Sequence, residues 1–244
     1  MSFAKIYTRG LLGLNAPSIE VEVHLSQGLP SLTIVGLAEA AVRESKDRVR
    51  SAIINSGFQF PTKRLTINLA PADLPKDGSR LDLPIALGIL IASGQLPEQA
   101  AENLEFIGEL ALDGQLRPVT GTLSIAIACQ AAGHQLVLPE PNAQEAAQLP
   151  DFQVFAASHL KQVCEHLAQA APLQPFAASS ETRLERYAFD LADVKGQLRP
   201  RRALEIAAAG GHSLLFKGPP GTGKTLLASR LASILPPLNM QENL

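Results

Sequence analysis

Eight consecutive residues towards the end of the chain have the types and spacing that bind phosphate. They match the pattern G-x-x-x-x-G-K-[ST] at every position: Gly218, Pro219, Pro220, Gly221, Thr222, Gly223, Lys224 and Thr225. Glycines let successive backbone N–H groups turn inward around phosphate oxygens. Lys224 is expected to reach the β- and γ-phosphates of a nucleotide, and the hydroxyl of Thr225 to coordinate Mg²⁺. The pattern therefore predicts a nucleotide site.

The residues on either side of this loop have the patterns that such a site requires. A short apolar strand is predicted over residues 213–216, and a helix over residues 226–235 that ends at Pro236-Pro237. The alternative is a glycine-rich turn that matches by chance. Strand, loop and helix in this order favour the nucleotide site.

Hydrolysis needs more than the phosphate loop. It requires an acidic strand end for Mg²⁺ and water, and commonly an arginine from a neighbouring subunit. The 19 residues after Thr225 contain no strand that ends in paired carboxylates. We therefore expect the 244-residue chain to bind nucleotide without hydrolysing it, and to be truncated within its nucleotide-binding domain.

The residues before the loop predict a larger α/β domain. Strands are expected at residues 19–25 and 31–35, paired antiparallel, then a surface helix at 39–56 and a strand at 64–70. A turn-rich loop at 71–80 leads to the helix 85–92, which is apolar nearly all round and therefore expected to be buried. Asp82 is its predicted N-cap and Pro84 lies in its first turn.

The second half of this domain alternates between helices and strands. A strand at 104–110 is expected to form a hairpin with residues 115–119 through the turn Asp113-Gly114. The predicted elements that follow are helix 123–132, strand 135–138, helix 143–148, strand 152–155 and helix 160–170. That order favours parallel pairing.

Three regions follow from these patterns. Residues 1–170 form the first domain, and residues 187–244 form the start of the nucleotide-binding domain. Residues 171–186 contain Pro172, Pro175 and a run of polar residues with no apolar period, which is typical of a linker.

Composition and charge restrict the class of protein. A net charge of −2 gives no overall basic footprint, so any nucleic-acid binding has to be local. Cys129 and Cys164 are too far apart for a C-x-x-C motif, and the histidines lack zinc spacing. Neither a signal peptide nor an apolar run long enough to span a bilayer is present, so we expect a cytoplasmic protein without membrane contact.

Three long segments carry a resemblance to a known family. Residues 204–226 (LEIAAAGGHSLLFKGPPGTGKTL), 28–61 (GLPSLTIVGLAEAAVRESKDRVRSAIINSGFQFP) and 65–90 (LTINLAPADLPKDGSRLDLPIALGIL) resemble the Mg-chelatase-like AAA+ ATPases of the ComM type. The likeness covers essentially the whole chain.

The resemblance implies a fold and a function. Full-length members are hexameric AAA+ motors that bind ATP with Mg²⁺ and are implicated in branch migration of DNA during natural transformation. Their N-terminal domain has the fold of Lon proteases. Residues 189–197 (FDLADVKGQ) are similar to the AAA+ segment that wraps the adenine, with Val194 and Gly196 as base-side contacts. Two alternatives stay open, a subunit that remodels a partner protein and an interaction module without activity.

The Lon-like segments do not carry the Lon catalytic dyad. Residues 75–78 resemble the tract before the Lon nucleophile, but the alignment places Asp82 at the serine position and Leu123 at the lysine position. We therefore expect no peptidase activity. A displaced dyad of Ser79 and Lys76 is the alternative.

Two clusters of basic residues have two interpretations each. Arg43, Lys46, Arg48 and Arg50 either face DNA or form a solvated helix face, which their interleaving with Glu44 and Asp47 favours. Arg199, Arg201 and Arg202 either contact a phosphate or a neighbouring subunit, or simply begin a helix that includes residues 203–209.

Overall fold

A computed structural model describes residues 2–36, 40–76, 78–177 and 189–236. Its backbone contacts divide the chain into two compact units, Met1–Ser179 and Ser180–Leu244. The predicted limits of the first domain and of the linker, at residues 170 and 186, stay a prediction. The first unit is mixed α/β, as the order of elements indicated.

Seven strands of the first unit form one sheet in the order β3-β4-β2-β1-β5-β8-β9, and β6 pairs separately with β7. The strands of the described part of the chain are β1 (Phe3–Arg9), β2 (Ser18–Ser26), β3 (Ser31–Val35), β4 (Arg64–Ala70), β5 (Leu104–Phe106), β6 (Glu109–Leu110), β7 (Leu116–Arg117), β8 (Gln135–Pro139) and β9 (Val154–Ala157).

The described helices are α1 (Ala40–Asn55), α2 (Asp82–Ala92), α3 (Thr122–Ala131), α4 (Ala143–Ala146), α5 (Leu160–Leu167), α6 (Leu198–Gly210) and α7 (Lys224–Ala228). The first five belong to the first unit, and α6 and α7 to the second. Single turns of 3₁₀ helix lie at Ser79–Leu81, Glu98–Ala101, Glu140–Asn142, Leu191–Asp193 and Leu231–Ile234.

The predicted antiparallel pairing of residues 19–25 with 31–35 is wrong. Strand β2 pairs antiparallel with β1 and β4, whereas β3 pairs parallel with β4 at the edge of the sheet. The reason is that α1 connects β3 to β4 as a crossover, which allows parallel neighbours. Strand β1 was missing from the prediction, and its hydrogen bonds occupy the edge of β2 that β3 had been expected to use.

The later elements agree more closely with their patterns. Strands β5, β8 and β9 are parallel neighbours, and β6 and β7 form the predicted antiparallel hairpin. The strand predicted over 104–110 is split into β5 and β6, because the chain turns away from β8 after it has paired with residues 135–137. There the N–H of Gly108 donates to the carbonyl of Arg80, and the N–H of Leu83 donates to the carbonyl of Gly108.

The buried helix is α2, all of whose residues are buried. It packs on β1 and β2 and against α1. Gly88 permits the close approach, because a Cβ atom there would lie 2.7 Å from Cγ2 of Val23. One apolar core therefore lies between the sheet and the helices α1, α2 and α5.

A second core covers the other face of the sheet, but only at its parallel end. It contains Ile125 and Cys129 of α3, Ala143 of α4, and Leu136 and Val154 of the strands. Over β1, β2 and β4 that face carries polar and half-buried side chains instead, among them those of Lys5, Glu20 and Asn68. The sheet is thus covered on both faces at one end and on one face at the other.

The edge of β9 is covered by the chain that follows α5. The N–H of Phe176 donates to the carbonyl of Val154 at 2.7 Å, and Leu173 packs against the first core. These residues lie inside the stretch that was predicted to be a linker, and they contact the sheet of the first unit.

The second unit has a small core of its own. Leu191, Val194, Leu204 and Leu227 are buried together. Helix α6 contains the predicted helix 203–209 and extends it at both ends. Of the helices that the structure describes in either unit, none is long and apolar enough to cross a membrane.

Candidate nucleotide-binding site

The glycine-rich loop is closed on itself by side chains of its own sequence. Nζ of Lys224 donates to the carbonyl oxygens of Gly218 and Pro219 at 2.8 and 2.7 Å, and Oγ1 of Thr222 donates to the carbonyl of Pro219 at 2.9 Å. The lysine ammonium therefore lies over the loop, half-buried, and does not extend into solvent. A phosphate that entered the loop would find a cation already there.

Two glycines of the loop have conformations that other residues rarely adopt. Gly221 has φ of +82° and Gly223 has φ of +80°. Gly223 is the N-cap of α7, so Lys224 and Thr225 are the first two residues of that helix. The loop thus needs glycine at these positions because of its backbone geometry, and it puts the lysine and threonine where the pattern requires them.

Of the two elements predicted beside the loop, the strand is not formed and the helix is shorter than expected. The strand predicted over 213–216 is wrong, since these residues form no strand and the structure describes no other strand in residues 189–236 that could pair with them. The helix predicted over 226–235 ends at Ala228. There the side chains of Ser229 and Arg230 donate to the carbonyl of Leu226 and compete with helical hydrogen bonds.

Residues 189–197, the segment expected to wrap the adenine, are ordered by local hydrogen bonds. We name this segment the strap. Asp190 and Asp193 form a reciprocal capping box around the turn Leu191–Asp193. The side chain of Val194 is buried in the small core, and its carbonyl accepts from Nη1 of Arg201 at 3.1 Å. Gly196 has φ of +72° and open space around its Cα atom.

Gln197 connects this segment to the phosphate loop. Its Nε2 donates to the carbonyl of Thr222 at 3.1 Å, and a Cβ atom on Gly223 would lie 3.3 Å from the same nitrogen. Gln197 is also the N-cap of α6, with φ of +53°. Sequence reasoning included Gln197 in the strap segment and gave it no role. No local pattern marked its role, because the partner of its amide lies 25 positions away in the sequence.

The residues at the Lon catalytic positions have structural partners. Asp82 is fully buried and forms a bidentate ion pair with Arg48, with N–O distances of 2.8 and 3.1 Å. Its carboxylate also accepts a hydrogen bond from the N–H of Leu110. It is not the predicted N-cap of α2, because Leu81 occupies that position and Asp82 is the first helical residue. Burial raises the pKa of Asp82 to about 6, against the hydrogen bonds from Arg48 that lower it.

The residues of a displaced dyad are engaged elsewhere. The hydroxyl of Ser79 donates to a carboxylate oxygen of Glu109, and Nζ of Lys76 donates to the carbonyl of Pro71. Lys76 is buried, and its burial lowers the pKa of its ammonium. Leu123 contributes its backbone N–H to Glu145. Ser79, Lys76 and Leu123, like Asp82, are therefore held by contacts within the first unit.

Two of the basic residues of α1 are used inside the first unit. Arg48 pairs with Asp82, and Nζ of Lys46 donates to the carbonyl of Leu32 at 3.0 Å. The side chain of Arg43 lies outside the described residues. Of the basic residues that begin α6, Arg201 binds the strap and Arg202 pairs with Glu205. For α1, the interpretation of its basic residues as a solvated helix face therefore does not hold for Lys46 and Arg48, which have partners inside the first unit.

The cysteines and histidines do not form a metal site in the described part of the chain. Cys129 and Cys164 are both buried and free. Burial raises the pKa of both thiols, that of Cys164 to about 12. His166 accepts a hydrogen bond from the N–H of Leu173 at Nδ1, and burial lowers its pKa.

Family models of the same chelatase subunit match parts of both units. A family model described as subunit ChlI of Mg-chelatase matches residues 21–142, and a model described as magnesium chelatase, subunit ChlI, matches residues 190–244. The protein YifB of Salmonella typhimurium strain LT2 is 52% identical over an alignment of 249 positions, which covers 100% of this chain and 48% of that protein. The competence protein ComM of Haemophilus influenzae is 48% identical over 241 residues, 97% of this chain and 47% of ComM.

A more distant likeness is to Lon proteases. A Lon protease of Syntrophomonas wolfei is 25% identical over 171 residues, which are 64% of this chain and 21% of that protease. This similarity agrees with the Lon-like fold expected for the N-terminal domain. The chain spans about half the length of the ComM and YifB relatives that it matches.

Proposed function

We propose that this chain, which belongs to the Mg-chelatase ChlI family of AAA+ proteins together with ComM, binds ATP and Mg²⁺ at residues Gly218–Thr225. In this proposal the backbone N–H groups around Gly221 and Gly223 hold the β-phosphate, and Lys224 moves from the loop carbonyls to the phosphates. Thr225 coordinates Mg²⁺, and Val194 and Gly196 contact the base.

The closed loop is the observation that supports this proposal best. An ammonium that already rests on the carbonyls of Gly218 and Pro219 needs only a short movement to reach a bound phosphate oxygen. The space beside Gly221 is open, since a Cβ atom there would meet nothing within 4 Å. These two features support phosphate binding at the loop.

For the 244-residue polypeptide we propose binding without turnover, because hydrolysis in phosphate-loop proteins also needs an acidic group for Mg²⁺ and water. For the full-length protein we propose an ATP-driven motor that acts on branched DNA as a self-assembled hexamer in the cytoplasm. Action on a partner protein is the second candidate, which the similarity to a chelatase subunit favours.

Binding of ATP can be measured with a fluorescent analogue in the presence and absence of Mg²⁺. The variant Lys224→Ala is expected to weaken binding at least tenfold, because charge-assisted bonds to phosphate contribute about 1.5–3 kcal/mol each. Lys161→Ala is the matched control, since Lys161 is an exposed lysine of α5. Equal affinity in Lys224→Ala and the control would show that the loop is not the site.

Turnover is a separate measurement. Steady-state phosphate release from the 244-residue chain is expected to equal that of Lys224→Ala. Release that depends on Lys224 would contradict binding without turnover and leave the site itself intact. In the full-length protein, salt-dependent binding to branched DNA would favour the DNA motor over the protein-remodelling subunit.

A further inference from the structure

A concave site on the first unit brings together cations that are separated in sequence. It lies where the turn before β3, the second half of α1 and the loop before β4 meet, and its volume is about 130 Å³. Arg50 comes from α1 and Lys63 from the loop before β4, and both side chains are exposed. We name this site the basic cavity.

The wall of the basic cavity combines an aromatic ring with hydroxyl groups. The guanidinium carbon of Arg50 lies 5.3 Å from the centroid of the Phe60 ring, within the range of a cation–π contact. Ser31 and Thr62 also line the cavity, and both are hydroxyl-bearing residues. A guanidinium that rests on a ring is held in one orientation, so its N–H groups are directed before a ligand arrives.

The positive charge of Arg50 and Lys63 is not neutralised by other residues that line the cavity. Among the described residues that line it none is acidic, and the acidic residues Glu44 and Asp47 of α1 are exposed outside the lining. One further cation lies close to the lining. Lys46 binds the carbonyl of Leu32, a lining residue.

This combination of groups selects one kind of ligand. Arginine, lysine and hydroxyl donors around an acid-free cavity are the groups that bind phosphate oxygens. The volume is smaller than the roughly 300–1,000 Å³ of sites that enclose a whole small molecule. A single phosphate group therefore fits, while the rest of its molecule has to lie outside, across the exposed cations.

We propose that the basic cavity binds a backbone phosphate of a nucleic-acid strand. Arg50 and Lys63 contact the phosphodiester oxygens. The ring of Phe60 supports the guanidinium and presents an apolar surface to the sugar. This site is separate from the phosphate loop and does not require nucleotide there.

The test compares DNA binding by three forms of the 244-residue chain, measured by fluorescence anisotropy with a labelled single-stranded oligonucleotide over a series of salt concentrations. The variant Arg50→Gln/Lys63→Gln is expected to bind about tenfold more weakly than the unmodified chain at low salt. Its plot of log affinity against log salt should be shallower by about one to two units. Both side chains are exposed, so the thermal unfolding temperature should not change.

The matched control is Arg117→Gln/Lys161→Gln, which removes the same charge at two exposed positions outside the cavity. This variant is expected to keep the affinity and the salt slope of the unmodified chain. Equal weakening in the two double variants would overturn the proposal, because it would show a response to net charge alone.

A second arm separates nucleic acid from free anions. Titration with inorganic phosphate at constant ionic strength is expected to leave the bound DNA in place at millimolar concentrations. If inorganic phosphate bound in a manner that depended on Arg50 and Lys63, while DNA affinity stayed the same in the double variant, the cavity would be a site for small anions and the assignment to nucleic acid would be wrong.

Discussion

Single side chains decide the geometry of the candidate nucleotide site. Lys224 and Thr222 close the loop, and Gln197 attaches that loop to the strap and to the start of α6. The sequence pattern identified the loop because every residue of the motif is local. It did not identify the role of Gln197, because the partner of its amide lies 25 positions away and only folding brings the two together.

We predict that Gln197 positions the phosphate loop. The variant Gln197→Met keeps the length of the side chain and removes the donor to Thr222, so ATP affinity should fall about fivefold, as expected for the loss of one hydrogen bond of about 1 kcal/mol. Affinity for AMP, which has no β-phosphate, should not change. Calorimetric titration with each nucleotide measures the difference.

The control for this variant is Gln169→Met. Gln169 also has positive φ, at +58°, but lies in the first unit. It should leave both affinities unchanged. Equal loss of ATP and AMP binding in Gln197→Met would indicate that the second unit had been generally disrupted, and the positioning role would be rejected.

At the scale of elements, α1 and α2 are joined by a buried ion pair. Arg48 of α1 reaches Asp82 at the start of α2, and the fully buried carboxylate accepts three hydrogen bonds. The pKa of the Arg48 guanidinium is raised, first by its hydrogen bond to Asp82. Asp82 stands at the position where Lon proteases have a nucleophile, and here it holds two helices together.

Removal of Arg48 should therefore destabilise the first unit strongly. Arg48→Met leaves a buried carboxylate without its cation, which costs about 3–5 kcal/mol, and the double variant Arg48→Met/Asp82→Leu should recover most of that loss. Arg117→Met is the control, because its ion pair with Glu109 is exposed and worth at most about 1 kcal/mol. Urea unfolding followed by circular dichroism gives the free energies.

The pH dependence follows from the raised pKa of Asp82, about 6 against 3.8 in the unfolded chain. The folded state binds the proton more tightly, so the contribution of Asp82 to stability is full below about pH 4 and is lost as pH rises through about 6. The loss in Arg48→Met should accordingly be smaller at about pH 5 than at about pH 8. An equal loss at both values would mean that Asp82 is not the group responsible.

The sequence predicted the elements better than their arrangement. Helix α2 was recognisable because it is apolar on every side, and the hairpin β6–β7 because Asp113-Gly114 fixes a tight turn. The pairing of β3 with β4 was not predictable from alternation alone, since parallel and antiparallel edges have the same period of two. The short strand at 213–216 failed for a related reason, because a strand exists only where a neighbour supplies hydrogen bonds.

For the whole molecule, the two units differ in the size of their cores. The first has two extended apolar clusters, whereas the described part of the second has one cluster of four buried apolar residues. A unit with so small a core opens more readily, and it gains most from a ligand that binds only its folded form.

Hydrogen exchange should therefore respond to nucleotide in one unit only. At a hundredfold excess of ATP and Mg²⁺ over the dissociation constant, the second unit should gain about 2.7 kcal/mol, and amides of α6 and α7 should exchange up to about a hundredfold more slowly. Amides of β1 and β2 should be unaffected. Mass spectrometry of peptic peptides measures both, with Lys224→Ala as the form that should show no protection. Equal protection of β1 would contradict independent units.

The two thiols have a practical consequence for such experiments. Cys129 and Cys164 are buried, and the raised pKa values keep both protonated at neutral pH, whereas alkylating reagents attack the thiolate. Towards maleimides the folded chain therefore behaves as though it contained no cysteine. A single cysteine introduced on the surface beside the basic cavity can carry a fluorophore or a crosslinker without replacing either native residue, and the appearance of a second labelled position would report unfolding.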